Sequence, residues 1–206
     1  KFATEIVPVE VPGRKGPTIV DTDEGPRADT TAESLAKLRP AFPSAAKSNP
    51  SLSVTAGNAS SLNDGAAAVV VVSEAYAREH GLTILGRITG YATGAGDPRD
   101  LFFAPITAVN NLMKKAGTTI GHYDLIEANE AFASQSLADG NGLGWDASRV
   151  NVNGGAIALG HPIGASGTRV LVTLLHALAD RKLRTGLATL CLGGGDAVAL
   201  SVERVD

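Results

Sequence analysis

The chain has 206 residues, a formal net charge of -3, 44% hydrophobic residues and a single cysteine. That length can bury a sizeable core in one large or two small domains. Scattered Lys and Arg with few aromatics exclude a nucleic-acid footprint, no apolar run approaches the roughly 18 residues needed to span a membrane, and one cysteine excludes an internal disulfide framework and a multi-cysteine zinc site.

Residues 1–53 are rich in Pro, charge and short polar runs. They offer strand candidates at 6–11 and 18–21, a short helix at about 31–38, and a Pro/Ser/Asn-rich loop over 43–53, which together predict an irregular, lid-like segment. From residue 54 the pattern alternates between strand and helix. Residues 66–72 form a continuous apolar run, the style of a strand buried on both faces. Residues 73–80 read as a helix ended by Gly81, and 84–93 as a strand. Residues 105–116 read as a helix with Pro105 in its first turn and Gly117 just past its end. A strand over 123–128, a helix over 130–138 and an extended, glycine-containing stretch over 151–159 follow. Ser166 is placed to cap a long helix to about Lys182, with Val170, Leu171, Leu174, Leu175 and Leu178 on one face. Strands over 187–192 and 197–204 close the chain, joined by Gly193-Gly194-Gly195. This alternation predicts a layered α/β fold with helices on a central sheet.

Three polar residues stand in apolar or glycine-rich surroundings: Asn129, His161 and Cys191. Gly160-x-x-x-Gly164-x-x-Gly167 is not the GxGxxG dinucleotide fingerprint, and GxxxxGK[ST] is absent, so a Rossmann cofactor and a P-loop are both excluded. Glycines around His161 serve either as tight turns or as a place where backbone N–H groups meet developing negative charge. His161 reads as a structural histidine or as a functional one on a strand-to-helix loop. His80, His122 and His176 read as structural. Cys191 reads as a small buried hydrophobe or as an activated thiol, and Asn129 as an N-cap for the 130–138 helix or as a catalytic amide. Two chemistries fit: a papain-like Cys/His/Asn hydrolase with Cys191 as nucleophile, or acyl chemistry at a carbon acid, with Cys191 as base and His161 plus Asn129 as an oxyanion hole.

Longer motifs bear on this choice. Asn129-Glu130-Ala131-Phe132-Ala133, the run from Asn153 through Gly160-His161-Pro162 to Arg169, and Cys191-Leu192-Gly193-Gly194-Gly195 resemble the three carboxy-terminal signatures of the thiolases. Val54-Thr55-Ala56-Gly57-Asn58-Ala59-Ser60, Asn63-Asp64-Gly65-Ala66-Ala67-Ala68 and Leu38-Arg39-Pro40-Ala41-Phe42 are also similar to this family. The resemblance covers essentially the whole chain, in order. It implies the thiolase fold, a five-layer αβαβα sandwich when intact. Residues 1–53 are then part of the loop domain covering coenzyme A, 54–81 the last elements of the amino-terminal core domain, and 82–206 the carboxy-terminal core domain.

The implied activity is acyl transfer between coenzyme A thioesters, by Claisen condensation or thiolysis of 3-ketoacyl-CoA. Asn129 would hold a water that, with the His161 ring N–H, forms the oxyanion hole for the thioester enolate. Cys191 would be the acid/base, and the Gly193 N–H would belong to a second oxyanion hole. Arg27 and Ser60 would contact coenzyme A, and Phe42 and Phe132 would line its pocket. Acyl-CoA and CoA are substrates in this scheme, with no metal and no tightly bound cofactor. The family attacks with a second cysteine from an amino-terminal half. This sequence starts at Lys1-Phe2 and holds only Cys191, so the expectation is a partial chain, inactive alone, that pairs with that half and forms a homo-oligomer when complete. The apolar run at 66–72 predicts aggregation or a partner chain without such cover. A reducing cytoplasmic setting, with no secretory signal, completes the expectation. The alternative from another class is a non-catalytic acyl-CoA-binding or structural subunit. Departures from the family pattern are the long 43–53 loop and Asp196-Ala197 after the glycines.

Overall fold

A computed structural model describes residues 1–47 and 52–205. The first 81 residues pair sparingly. Strands β1 (Val9–Val11) and β2 (Thr18–Val20) form an antiparallel hairpin exposed throughout. The predicted 6–11 strand is thus only three residues long. Helix α1 (Ala32–Ala36) has a capping box, in which Thr31 and Ser34 satisfy each other's backbone N–H. The predicted loop at 43–53 begins as a 3-10 turn over Pro43–Lys47, and residues 48–51 lie outside the described ones. Helix α2 (Glu74–Glu79) starts on a Ser73 cap and buries only Ala77.

The run at 66–72 overturns its prediction. It joins no sheet and stands exposed, with Val70 at 85% and Val71 at 69%. A strand needs neighbours for its backbone groups, and no described segment of this chain supplies one there.

The second part builds a layered body. Strand β3 (Arg87–Ala95) precedes α3 (Ala104–Ala116), β4 (Leu125–Ala128), α4 (Ala133–Leu143), α5 (Ala156–Leu159), α6 (Ser166–Arg181), β5 (Thr185–Leu192) and β6 (Asp196–Glu203). The sheet order is β3-β6-β5-β4, with β4 and β5 parallel and the other pairs antiparallel. Side chains alternate across a strand, so β5 sends Leu187 to one face and Ala188 to the other. Leu187 joins Ala108, Val109 and Leu112 of α3 and Leu143 of α4 in one core. Ala188 joins Val170, Leu174 and Leu178 of α6 in the second. Helices on both faces of a mixed sheet match the expected α/β class. Among the described residues no helix is long and apolar enough to cross a membrane.

Three local predictions are corrected. Helix α4 begins at Ala133 with Phe132 as its N-cap residue, so Asn129 is no helix cap. The 151–159 stretch is a turn followed by the four-residue α5, with the Gly160 N–H bonded to the Ala156 carbonyl. Ala165, not Ser166, is the N-cap of α6, because the Ser166 hydroxyl is engaged elsewhere.

Candidate active site

The end of β4 carries the chain into the site. The Asn129 N–H donates to the Thr189 carbonyl of β5 at 3.0 Å, extending the parallel pairing one residue past β4. Cys191 lies two residues further along β5, so the parallel register sets the asparagine loop beside the cysteine end of the neighbouring strand. Asn129 is 1% exposed. Its Nδ2 amide lies 3.3 Å from His161 Nε2, while its Oδ1 is buried without a hydrogen-bond partner among the described residues.

His161 arrives from the other side. Gly160 takes φ +90°, a backbone region open to glycine, and turns the chain sharply after α5. The imidazole Nδ1 sits 2.6 Å from Ser166 Oγ, which lies 3.1 Å from the Pro162 carbonyl. The serine hydroxyl has one proton. Given to Pro162, it leaves Nδ1 as donor and Nε2 as acceptor of the Asn129 amide. Given to Nδ1, it leaves Nε2–H facing Asn129. Ser166 thereby sets which ring nitrogen is the donor, a role the sequence reading missed by treating it as a cap. Burial, then the Arg169 charge, hold the His161 pKa below its ordinary value, which favours the neutral imidazole.

A strap from the first part ties both loops. The Ser60 N–H and Oγ–H both donate to the Ala131 carbonyl, at 3.0 and 3.1 Å. The Ala133 N–H donates to the Asn58 carbonyl at 2.9 Å, and the His161 N–H to the Ser61 carbonyl at 2.9 Å. Ala59 thus bridges Phe132, and Leu62 bridges His161. The Phe132 ring packs edge-on against Phe102 at 5.1 Å. Phe42 and Arg27 are exposed on the first part. A Cβ at Gly25 would stand 3.4 Å from the Ala158 carbonyl, which places the backbone leading to Arg27 beside the histidine loop.

Cys191 is half-buried at the end of β5, followed by Gly193-Gly194-Gly195, with φ of +85° at Gly194 and +91° at Gly195. Gly193 is exposed, with open space where a side chain would stand. Burial pushes the Cys191 thiol up, and the charge of Asp139 adds to it. Among the described residues its sulfur has no hydrogen bond to His161 or Asn129. The structure brings Asn129, His161 and Ser60 into one bonded cluster, with Cys191 on the adjoining strand.

Two residues before Asn129 lies a buried acid that sequence reading did not single out. Glu127 of β4 is 1% exposed and 3.7 Å from Arg169 of α6. Burial raises its pKa to about 8 against the opposing pull of Arg169. Glu130 accepts from the Ile157 N–H at 3.2 Å and Asn151 Nδ2 at 3.1 Å, tying the Asn129 loop to α5. Among the described residues no three His, Cys, Asp or Glu side chains gather as a metal-ligand set.

Comparison with known proteins bears directly on these motifs. Residues 82–204 match the family model described as thiolase, C-terminal domain, and residues 1–75 match thiolase, N-terminal domain. An acetyl-CoA acetyltransferase of Pseudomonas aeruginosa is 60% identical over 205 residues, covering 99% of this chain and 51% of that protein. The crystal structure of the Bacillus anthracis acetyl-CoA acetyltransferase superposes with a TM-score of 0.93 at 45% identity, over 99% of this chain and 50% of that one. Human mitochondrial 3-ketoacyl-CoA thiolase in complex with CoA gives a TM-score of 0.84 at 40% identity, over 95% of this chain and 48% of that one. The chain spans about half the length of the curated relatives it matches.

Proposed function

Because the chain belongs to the thiolase family, we propose that it forms the proton-transfer and enolate-binding part of an acyltransferase acting on coenzyme A thioesters. The observation that carries the reading is the buried Asn129 amide against the His161 imidazole, 3.3 Å apart, beside the strand end that bears Cys191. Deprotonating a carbon acid requires fixed donors where the enolate oxygen will sit. A neutral His161 whose Nδ1 accepts the Ser166 proton keeps Nε2–H as such a donor, with Asn129 beside it. Cys191 then moves the proton at the acyl α-carbon and at the leaving thiol. The Gly193 N–H serves the tetrahedral intermediate of the acyl-enzyme.

A thiol raised by burial supports an acid/base role over a papain-like nucleophile, which needs a lowered thiol pKa and a histidine partner. A non-catalytic subunit is not favoured, since the matched relatives bear the name of an acyltransferase. Coenzyme A and acyl-CoA are the proposed substrates. The complex of a 40%-identical relative with CoA supports them. Arg27 and Ser60 contact the cofactor-like substrate in this scheme, with Phe42 and Phe132 at its pocket. The partner is the remaining half of a thiolase, bearing the attacking cysteine, in a homo-oligomer. A cytoplasmic setting and a place in fatty acid metabolism complete the proposal.

The test pairs this chain with the amino-terminal half of the Pseudomonas aeruginosa relative and follows thiolysis of a short 3-ketoacyl-CoA. The pair turns over and the chain alone does not. Cys191→Ala in the pair lowers kcat by at least about 100-fold, the scale of a lost acid/base, while labelled acyl groups still reach the supplied half. Acyl label on Cys191 itself would overturn the assignment.

A further inference from the structure

Helix α4 turns an unusual face to the sheet. Its buried residues are Gln135, Asp139 and Leu143, spaced four apart and so on one side. Leu143 shares a core with Leu187 of β5. Thr189 and Cys191 follow Leu187 at intervals of two, on that same face of the strand. The sheet-facing side of α4 and the cysteine-bearing face of β5 therefore look into one layer. In that layer the Ala131 N–H donates to Gln135 Oε1 at 3.1 Å, and Gln135 Nε2 donates to Asp139 Oδ2. This chain of bonds begins two residues after Asn129. Asp139 is 0% exposed, and its second oxygen is buried without a hydrogen-bond partner among the described residues.

An incompletely satisfied buried carboxyl is costly, and packing alone is better served by an apolar residue of similar size. We infer that Asp139 is a positioning residue for Cys191: a carboxyl fixed by Gln135 on the interior side of the sulfur, whose charge acts on the proton that the thiol carries. The role rests on reading Cys191 as the proton-transfer group. Burial raises the Asp139 pKa to about 7, with the Gln135 amide pulling it down. Above that pH its charge opposes a second negative charge on Cys191. Two acids facing one buried layer do not both ionise readily, so the sulfur stays a thiol able to give a proton. The elements packed against α4 and β5 carry Arg99 and Asp100 on the 98–103 turn and Lys114 and Lys115 on α3, all exposed, and the charge that acts on Cys191 is that of Asp139.

Cys191 is the only thiol among 206 residues, so the pH profile of alkylation by iodoacetamide reports it alone. With Asp139→Asn, the midpoint of that profile should move to lower pH by about one unit, with the fold checked by circular dichroism. Gln135→Leu removes the amide that favours the ionised carboxyl, and should move the midpoint the same way by less. A folded Asp139→Asn chain whose midpoint is unchanged or higher overturns the role. Should that variant not fold, the Gln135→Leu midpoint decides, with the same two outcomes. The titration involves no acyl transfer, so an unmoved midpoint refutes Asp139 alone, whereas acyl label on Cys191 refutes the proposed function.

Discussion

Residues 69–72 are four consecutive valines, and residues 125–128 read Leu-Ile-Glu-Ala. The valines are the more apolar of the two, yet they are 38–85% exposed, while all four residues of β4 are buried, the glutamate included. The difference lies in neighbours. Strand β4 pairs with β5 and is covered by α6 on one face and by the α3/α4 layer on the other. Among the described residues the valine run has no paired strand, and an open cavity separates it from Leu171 and Leu175 of α6. Burial here follows from place in the sheet, not from hydrophobicity: a glutamate stays inside because its strand does, and four valines stay outside because theirs has no sheet to join.

The largest effect that tests this contrast is a cavity in the second part. Leu174 of α6 is fully buried against the sheet, so Leu174→Ala should cost about 2–5 kcal/mol in urea unfolding. A cost below about 1 kcal/mol would mean that the layer is loosely packed.

Next in size is the pH dependence that the buried acids impose. Glu127 and Asp139 keep their protons in the folded chain up to about pH 8 and about pH 7. In the unfolded chain such groups release them near pH 4. The folded state therefore binds more protons across the window of roughly pH 4 to 8, and these two groups make stability fall as pH rises through it. Glu127→Gln with Asp139→Asn should flatten that fall, read from urea midpoints between about pH 5 and 9. Asp97 and Asp146, exposed and lowered by their hydrogen bonds, act with the opposite sign in the acid range. A slope that persists in the double variant would place its source elsewhere.

The smallest effect belongs to the valine run. Val71→Lys should change stability by less than about 0.5 kcal/mol, as exposed sites do, and should lower the apparent mass of the concentrated chain in light scattering by removing an apolar contact. A cost matching that of Leu174→Ala would show that the run is covered in solution.

Much of the second part was legible because local signals agreed there. Gly117 ends α3 in the left-handed region, and Val170, Leu174 and Leu178 of the predicted α6 face are buried, with Leu171 and Leu175 half-buried beside them. Errors arose where a residue had two available partners. Ser166 reads as a cap by its position before an apolar helix, but its hydroxyl lies within reach of His161 and the Pro162 carbonyl, and a linear pattern does not encode that choice. Asn129 reads as a cap because an apolar helix follows, yet Phe132 stands at that helix start and Asn129 extends the β4 pairing instead. Glu127 gave a faint signal, one acid in an apolar strand, and its Arg169 partner lies 42 residues further on. Asp139 lay just past the predicted 130–138 helix, which in fact runs on to Leu143, and its meaning depends on which strand that helix covers.

The strap at residues 58–62 bears on where this molecule can be cut. The layered body runs from β3 to β6, so packing alone would draw a boundary just before β3. That boundary would sever the bonds that hold Phe132 and His161 in register across 29 residues. The packed layers and the site have different edges, so a fragment designed on the core alone would lose the ties that hold both loops of its site.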